Sequence, residues 1–127
     1  MLLKGSIVFC YDNSGCSSFK VLQLYTNKNN HAGEGFRGVL HKFNPDRNKL
    51  QKKKHYTVAC VGVKQYTQRF SDYGIWFGSN AILMMNDSCS KLLGTRIFGA
   101  IQRESLRLMK YDTTLVHKMI LLSRFII

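Results

Sequence analysis

The residues whose chemistry stands out first are the basic ones between positions 37 and 69. This stretch has nine Lys or Arg residues against a single acid, Asp46. Tyr56 and Tyr66 lie among them, and cationic side chains mixed with aromatic rings are suited to phosphate contacts and base stacking. The stretch therefore predicts a nucleic-acid-binding surface, although a solvated loop also carries runs of charge. The nine basic residues are Arg37, Lys42, Arg47, Lys49, Lys52, Lys53, Lys54, Lys64 and Arg69.

The charge of the whole chain supports the same interpretation. It has 19 Lys or Arg against 7 Asp or Glu, a net charge of +12. Such a charge on a small domain repels itself and indicates a polyanionic partner, nucleic acid first and an anionic membrane surface second. The apolar segment 115–127 is interrupted by polar residues and is shorter than the roughly 20 residues of a membrane span. We therefore expect no membrane insertion.

Catalytic and metal-binding patterns are missing from the sequence. The four His and seven acidic residues are scattered, and no His-x-x-x-His pair, Gly-x-Ser-x-Gly elbow or phosphate-binding loop occurs. The four cysteines, Cys10, Cys16, Cys60 and Cys89, include no Cys-x-x-Cys pair of the kind that zinc sites use. We expect no enzyme, no cofactor and no metal, and reduced cysteines with Cys10 and Cys60 as small buried hydrophobes.

Short apolar segments between polar turns must position the basic stretch. They recur at intervals of about 8 to 15 residues, which predicts a small barrel of short strands. The segment 56–64 is nearly continuously apolar, so we expect both of its faces to be buried, with Gly62 marking a bulge or bend. The predicted strands are 6–11, 19–25, 36–43, 56–64 and 80–85.

A helical pattern comes only at the end of the chain. Segment 100–110 predicts a short amphipathic helix with Ile101, Leu108 and Met109 on one face, and 115–126 is a second helix or a strand. The fold class is therefore mainly β, a small five-stranded β-barrel with a basic loop and short C-terminal helices. With 127 residues we expect one domain. The barrel would cover about 6–86, and the turn and helices about 87–127.

Two glycines, Gly94 and Gly99, bracket a turn before the first of these helices. Glycine relieves the Cβ clash where a chain turns sharply or approaches another backbone. Between them lie the polar pair Thr95 and Arg96 and the apolar pair Ile97-Phe98. We expect the apolar pair to anchor the turn in a core, with the polar pair facing out.

Several separated segments resemble one protein family. Residues 94–99 read GTRIFG, and residues 12–15 read DNSG after an apolar start. An AGxG turn at 32–35, the lysine-rich 49–54, the apolar 58–63 and Asn80-Ala81 follow in the same order as in that family. Over about residues 6 to 104 the chain resembles the universal large-subunit ribosomal protein L-fourteen family.

The resemblance implies a structural constituent of the large ribosomal subunit that binds large-subunit rRNA where the two subunits meet. It implies bridges to small-subunit rRNA, contacts with the neighbouring large-subunit proteins numbered three and nineteen, and docking of a ribosome-silencing factor. Thr95 and Arg96, with Lys118, would belong to the surface for these last contacts. Lys and Arg would neutralise phosphates and recognise backbone shape rather than read bases.

The chain also departs from the family pattern. Gly62 stands where the family is usually apolar, and Gly78-Ser79 replaces an Asp-Gly turn. This drift, with extra Cys, Tyr and Phe, predicts a version working on the mitochondrial ribosome in the matrix; the alternatives are another organellar or a bacterial-type ribosome. The longer apolar end, residues 125–127, predicts a nearby protein partner.

Two other classes of function stay open on the sequence alone. One is a free single-stranded nucleic-acid-binding barrel, in which aromatic side chains stack on bases. The other is a peripheral membrane protein with its basic loop on anionic lipid. A lone Trp beside Ile and Phe is typical of a core, so we expect Trp76 to be buried, whereas in the free nucleic-acid-binding barrel it would stack on a base. The aromatic residues available for stacking are Tyr56, Tyr66, Phe70, Tyr73 and Trp76.

Overall fold

The computed structural model describes residues 5–24, 35–46, 50–69, 73–86, 91–108 and 113–127. Its centre is a closed barrel of five strands, which follow one another around it in the order β1 Ile7–Cys10, β2 Cys16–Leu24, β3 Gly35–Phe43, β4 Tyr56–Gly62 and β7 Ala81–Met84. Neighbouring strands are antiparallel except β1 and β7, whose parallel pairing closes the barrel. The predicted five-stranded barrel is confirmed.

Strands β4 and β7 are buried on both faces because apolar clusters lie on either side of them. Val58 and Cys60 of β4 join Ile82 and Met84 of β7 in a cluster with residues of β1, β2 and β3, which is the barrel interior. Successive side chains of a strand point to opposite faces, so the residues between them form a second cluster outside the barrel. This explains the continuous apolarity of 56–64. The outer cluster comprises Ala59, Val61, Ala81, Leu83, Met85, Ile97, Ile101, Leu115 and Met119.

Gly62 lies at an irregularity in the pairing of β4 with β7, where the register shifts between Cys60 and Gly62. The predicted bulge is therefore present. A Cβ placed on Gly62 would lie 2.5 Å from Cδ2 of Phe77, so the Phe77 ring occupies the space that a side chain would need. The Phe77 ring therefore fills the space that an apolar side chain at position 62 would occupy.

A small antiparallel ribbon, β5 Thr67–Gln68 with β6 Gly74–Ile75, lies outside the five predicted strands. Trp76 follows β6 and is 65% exposed, so the prediction that Trp76 lies in the core is wrong. The next residue, Phe77, is buried instead. In extended chain only one of two adjacent side chains can face the core, and the residue that packs against Gly62 is Phe77.

The C-terminal part contains α1 Arg103–Leu108 and α2 Thr113–Leu122. The helix predicted at 100–110 begins later than expected, since Ile101 forms a parallel bridge with Ile126 instead of lying on a helical face. Leu108 ends α1, and Met109 falls outside the described residues. The segment 115–126 is helical up to Leu122 and extended at its end, because the chain returns to pair beside Ile101.

Three of the four cysteines, Cys10, Cys16 and Cys60, are described, and all three are free thiols. Cys60 is fully buried in the barrel interior, as expected. Cys10 is only half-buried and packs against that interior. A hydrogen bond with Cys16, together with burial, raises the pKa of the Cys10 thiol. Both effects favour the protonated thiol of Cys10 over the thiolate. Cys89 lies outside the described residues.

Candidate nucleic-acid interface

The turn at residues 94–99, called here the clamped turn, is held by the side chain of Asn13. The Asn13 Oδ1 accepts hydrogen bonds from the backbone N–H of Thr95 at 2.7 Å and of Arg96 at 3.1 Å. The Asn13 Nδ2 donates to Thr95 Oγ1 at 2.9 Å. The two segments with family resemblance, 82 residues apart in sequence, therefore form one structural unit.

Asp12 ties this unit to the barrel. Its carboxylate accepts hydrogen bonds from the Ser14 hydroxyl at 2.6 Å and from the Met84 backbone N–H at 3.0 Å. The side chain is buried, and this burial raises the pKa of Asp12, while the bonds from Ser14 and Met84 oppose the rise. A buried carboxyl group is costly unless it is hydrogen-bonded, so Asp12 fixes the geometry of the turn at 12–15 against β7.

Gly94 and Gly99 let the two segments approach closely, as the sequence predicted. A Cβ on Gly94 would lie 2.9 Å from Cβ of Asp12, and one on Gly99 would lie 2.4 Å from Cδ2 of Tyr11. Next to Gly99, the backbone N–H of Phe98 donates to the Tyr11 carbonyl at 2.7 Å. Both glycines are therefore needed for close approach to residues 11–13.

The clamped turn presents Thr95 and Arg96 outwards, and both side chains are exposed as expected. Ile97 is 3% exposed and anchors the turn in the outer cluster. The prediction that Phe98 joins it is wrong, because Phe98 is 64% exposed. Ile97 pairs with Asp12 in an antiparallel bridge, which directs its neighbour Phe98 to the opposite side. The turn therefore exposes a hydroxyl, a guanidinium and an aromatic ring together.

The predicted RNA-contacting residues are spread over several elements. Arg37 and Lys42 are exposed on β3, and Lys64 is exposed just after β4. Lys52, Lys53 and Lys54, called here the lysine segment, are exposed before β4. Arg47 and Lys49 fall outside the described residues. Six of the nine positions are thus exposed cationic side chains that a phosphate backbone can reach. They are Arg37, Lys42, Lys52, Lys53, Lys54 and Lys64.

Tyr56 contacts the lysine segment and the residue before it. It is 6% exposed, so it is unavailable for stacking on a base, contrary to the reading of Tyr56 as a stacking residue. Its hydroxyl accepts a hydrogen bond from the Gln51 backbone N–H at 2.9 Å, and the Lys54 ammonium lies 5.3 Å from its ring centroid. Tyr56 therefore fixes where the lysine segment leaves the barrel.

Arg69 differs from the other cationic residues because an acid engages it. Its Nε and Nη2 donate to the two carboxylate oxygens of Glu104 at 2.7 and 2.8 Å. Its Nη2 also donates to the carbonyl of Ile127 at 2.6 Å. The hydrogen bonds from Arg69 lower the pKa of Glu104 to about 2 and raise the pKa of Arg69. Arg69 thus joins the start of α1 to residue 127, and its role as an RNA contact stays a prediction.

Lys118 is exposed on α2. Leu115 and Met119 of this helix are buried in the outer cluster, which also receives Ile97 of the clamped turn. The helix that carries Lys118 and the turn that carries Arg96 therefore pack on one shared core. No described hydrogen bond or ion pair joins Lys118 to the clamped turn within the described ranges.

An apolar surface lies at the end of the chain. Leu121 on α2 is 83% exposed, and Phe125 is 67% exposed. Hydrogen bonds from Ile101 N–H to the Phe125 carbonyl and from Ile127 N–H to the Ile101 carbonyl, each 3.0 Å, hold the backbone of residues 125–127. The exposed side chains are thus carried on an ordered backbone, which suits a contact with a protein neighbour.

Neither helix in the described ranges has the length and apolarity that crossing a bilayer requires. Among the same described residues, His, Cys, Asp and Glu form no group of three or more that is placed to hold a metal ion.

The family model of ribosomal protein L14p/L23e matches residues 1–118 of the chain. The matched range covers the five barrel strands, the clamped turn, α1 and the part of α2 that ends at Lys118. Residues 119–127, which carry most of the exposed apolar end, lie beyond it.

Proposed function

We propose a position on the ribosome for this chain, which belongs to the ribosomal protein L14p/L23e family because the family model matches residues 1–118. Members of this family are structural constituents of the large ribosomal subunit that bind rRNA. The chain is therefore a structural rRNA-binding protein and not an enzyme. Beyond this, we infer that it lies where the large subunit meets the small one and contributes to a bridge with small-subunit rRNA.

The observation that carries the proposal is the clamp made by Asn13. Its three hydrogen bonds fix the backbone of Thr95 and the position from which Arg96 extends. A bridge between two large particles is stronger when the donor extends from a fixed backbone, since less conformational entropy is lost on binding. A guanidinium presented from a fixed backbone suits the phosphates of small-subunit rRNA or an acidic protein surface.

Large-subunit rRNA would be held mainly by charge. The exposed cations on β3, in the lysine segment and at Lys64 would neutralise phosphates, and each such contact releases counterions from the RNA. Arg47 and Lys49 belong to the same proposal by sequence. Because A-form RNA hides its base edges in a deep groove, contacts of this kind recognise backbone shape.

Neighbouring proteins complete the proposed setting. The proteins numbered three and nineteen would contact the barrel, and a ribosome-silencing factor would dock on the surface of Thr95, Arg96 and Lys118. The apolar end, with Phe125 exposed on an ordered backbone, would bury itself against one protein neighbour.

We also propose that the ribosome in question is mitochondrial, on the basis of the sequence drift. Sedimentation of a mitochondrial lysate through a sucrose gradient, at low and then high salt, tests both points. The expected result is that the chain migrates with the large subunit and stays there through the salt wash. Migration as a free small protein, or with membranes, would refute the integral ribosomal position. Absence of the chain from the mitochondrial lysate, with its presence on ribosomes in a lysate of another compartment, would refute the mitochondrial assignment.

A further inference from the structure

The β5–β6 ribbon and its flanks carry three exposed aromatic side chains. Tyr66 is 52% exposed, Tyr73 is 55% exposed, and Trp76 is 65% exposed. The free energy gained by burying such rings is large, so three of them left exposed on one short ribbon indicate a binding surface. This surface contains no residue of the clamped turn or of the lysine segment, so the contacts proposed for those two regions do not explain it.

Two of these rings form a pair across the ribbon. Thr67 lies opposite Ile75 in the register, so the preceding Tyr66 faces the following Trp76. Their ring centroids are 6.0 Å apart and their planes are inclined by 40°. A Cβ on Gly74 would lie 2.3 Å from Cζ of Tyr66, so the Tyr66 ring lies against the Gly74 backbone. The ribbon therefore supports the Tyr66 ring from one side.

The ribbon is anchored to the rest of the molecule. Thr67 Oγ1 accepts a hydrogen bond from Gln102 Nε2 at 3.0 Å, and the ion pair of Arg69 with Glu104 holds the end of β5. After β6, the Phe77 N–H donates to the Val63 carbonyl at 3.0 Å. A surface held in place before binding loses little conformational entropy when a ligand arrives.

An exposed cation lies beside the aromatic rings of the ribbon. Between residues 64 and 77 the charged residues are the cations Lys64 and Arg69 and one acid, Asp72, which lies outside the described residues. Glu104 engages Arg69, whereas Lys64 is exposed two residues before Tyr66. Protein interfaces also use Trp and Tyr, but aromatic rings beside an exposed cation, on a chain with a net charge of +12, favour RNA.

We propose that Trp76 and Tyr66 form a stacking platform for one unpaired base of large-subunit rRNA, with Lys64 at a neighbouring phosphate. The inference rests on the proposed rRNA-binding function and adds a base contact to a mode of binding that otherwise uses phosphates. Unpaired rRNA bases stack readily on aromatic side chains, and Trp offers the largest ring surface.

Trp76 is the only tryptophan of the chain, so its fluorescence reports this site alone. The full chain is titrated with a single-stranded oligoadenylate and with an RNA duplex of equal length, at a salt concentration that weakens phosphate binding. We expect the single strand to quench the fluorescence and the duplex to leave it nearly unchanged. Equal quenching by both would overturn the stacking platform, because duplex bases are not free to stack.

Substitutions of Trp76 test stacking with a binding measurement that does not depend on tryptophan fluorescence. With a labelled oligoadenylate, Trp76→Leu should bind roughly 5- to 150-fold more weakly, whereas Trp76→Phe should keep most of the affinity. The exposure of Trp76 means that neither variant should change the thermal unfolding of the chain, which is the check for folding. Wild-type affinity in Trp76→Leu would contradict the proposal.

Large subunits that contain each variant distinguish this inference from the proposed function. If Trp76→Leu subunits lack a neighbouring protein while oligoadenylate binding is unchanged, the surface binds protein and the RNA proposal is wrong. If the Trp76→Leu chain stays on the large subunit with weakened oligoadenylate binding, both proposals stand. Failure of the wild-type chain to sediment with the large subunit would refute the proposed function itself.

Discussion

The clamped turn and the lysine segment are both exposed and basic, yet the molecule holds them in different ways. Asn13 accepts hydrogen bonds from the backbone of the clamped turn, and Ile97 of this turn is buried in the outer cluster. In the lysine segment the backbone is held through Tyr56, which accepts a hydrogen bond from Gln51. The three lysine side chains are exposed, and the Lys54 ammonium lies 5.3 Å from the Tyr56 ring centroid. The difference indicates two kinds of contact, one that depends on position and one that depends on charge.

The largest effect should come from removing the charge of the lysine segment. Changing Lys52, Lys53 and Lys54 together to Gln should lower the slope of log affinity for large-subunit rRNA against log salt by about 2 to 3. Folding stability should change by less than about 0.5 kcal/mol, because all three side chains are exposed. Filter binding over a salt series measures the slope.

The matched control for the lysine segment is the triple change to Arg, which keeps the three charges. We expect it to restore the wild-type slope, since phosphate neutralisation depends on charge more than on side-chain shape. An unchanged slope in the Gln variant would show that the lysine segment is only solvated and would remove it from the interface.

Breaking the clamp should have a smaller effect on binding and a larger one on stability. Asn13→Ala removes three hydrogen bonds, and we expect a loss of about 1–2 kcal/mol in the free energy of unfolding, because water replaces part of them. Subunit association should weaken as well, although Arg96 itself is intact. Denaturant unfolding and subunit sedimentation measure the two effects.

Asn13→Asp is the control for the clamp. It keeps an acceptor for the N–H groups of Thr95 and Arg96 and loses only the donor to Thr95 Oγ1. We expect it to fall between wild type and Asn13→Ala in stability and in subunit association. Full subunit association in Asn13→Ala would mean that the contact of the clamped turn does not depend on its fixed position. The clamped turn and the lysine segment would then not differ in the kind of contact they make.

Arg69 sharpens the comparison because an acid pairs with its guanidinium, whereas the lysine segment presents exposed cations. The folded-state pKa of Glu104, about 2, lies below the ordinary value of 4.5. The ion pair therefore stabilises the fold fully above the ordinary value, and this stabilisation is lost as the pH falls towards 2. We expect Glu104→Gln to lose roughly 1 kcal/mol at neutral pH.

Thermal unfolding of wild type and Glu104→Gln over a pH series measures this ion pair, and the difference between the two should shrink on acidification. A difference that is constant with pH would mean that the charge of Glu104 contributes nothing. In that case Arg69 would be available to RNA in the way that the lysine segment is.

Much of the fold could be predicted from local sequence pattern. The barrel strands are apolar segments between turns, and both the bulge at Gly62 and the two-sided burial of β4 follow from residue type and run length. The β5–β6 ribbon was missed because strands of two residues leave no periodic pattern. Trp76 and Phe98 were placed wrongly, because an apolar residue type does not show which of two adjacent side chains faces the core.

The candidate site was harder to predict, because its geometry depends on contacts that are distant in sequence. Thr95 and Arg96 were identified as exposed, but nothing local connects them with Asn13, 82 residues away. Arg69 was predicted from the sequence to contact RNA like the other cations of residues 37–69, because its partner Glu104 lies 35 residues further along the chain. The pattern of charges shows how much charge there is, and only the fold shows which charges are already paired.

The most direct test of the account is subunit joining with Arg96→Glu in the large subunit. Lys91→Glu, the same change of charge at another exposed position, is the control. Purified subunits are mixed and their association is followed by sedimentation. The account predicts that Arg96→Glu assembles normally into the large subunit and joins the small subunit poorly, while Lys91→Glu joins as wild type does. Wild-type joining by Arg96→Glu, or equal loss in both variants, would contradict the claim that the clamped turn is a subunit contact.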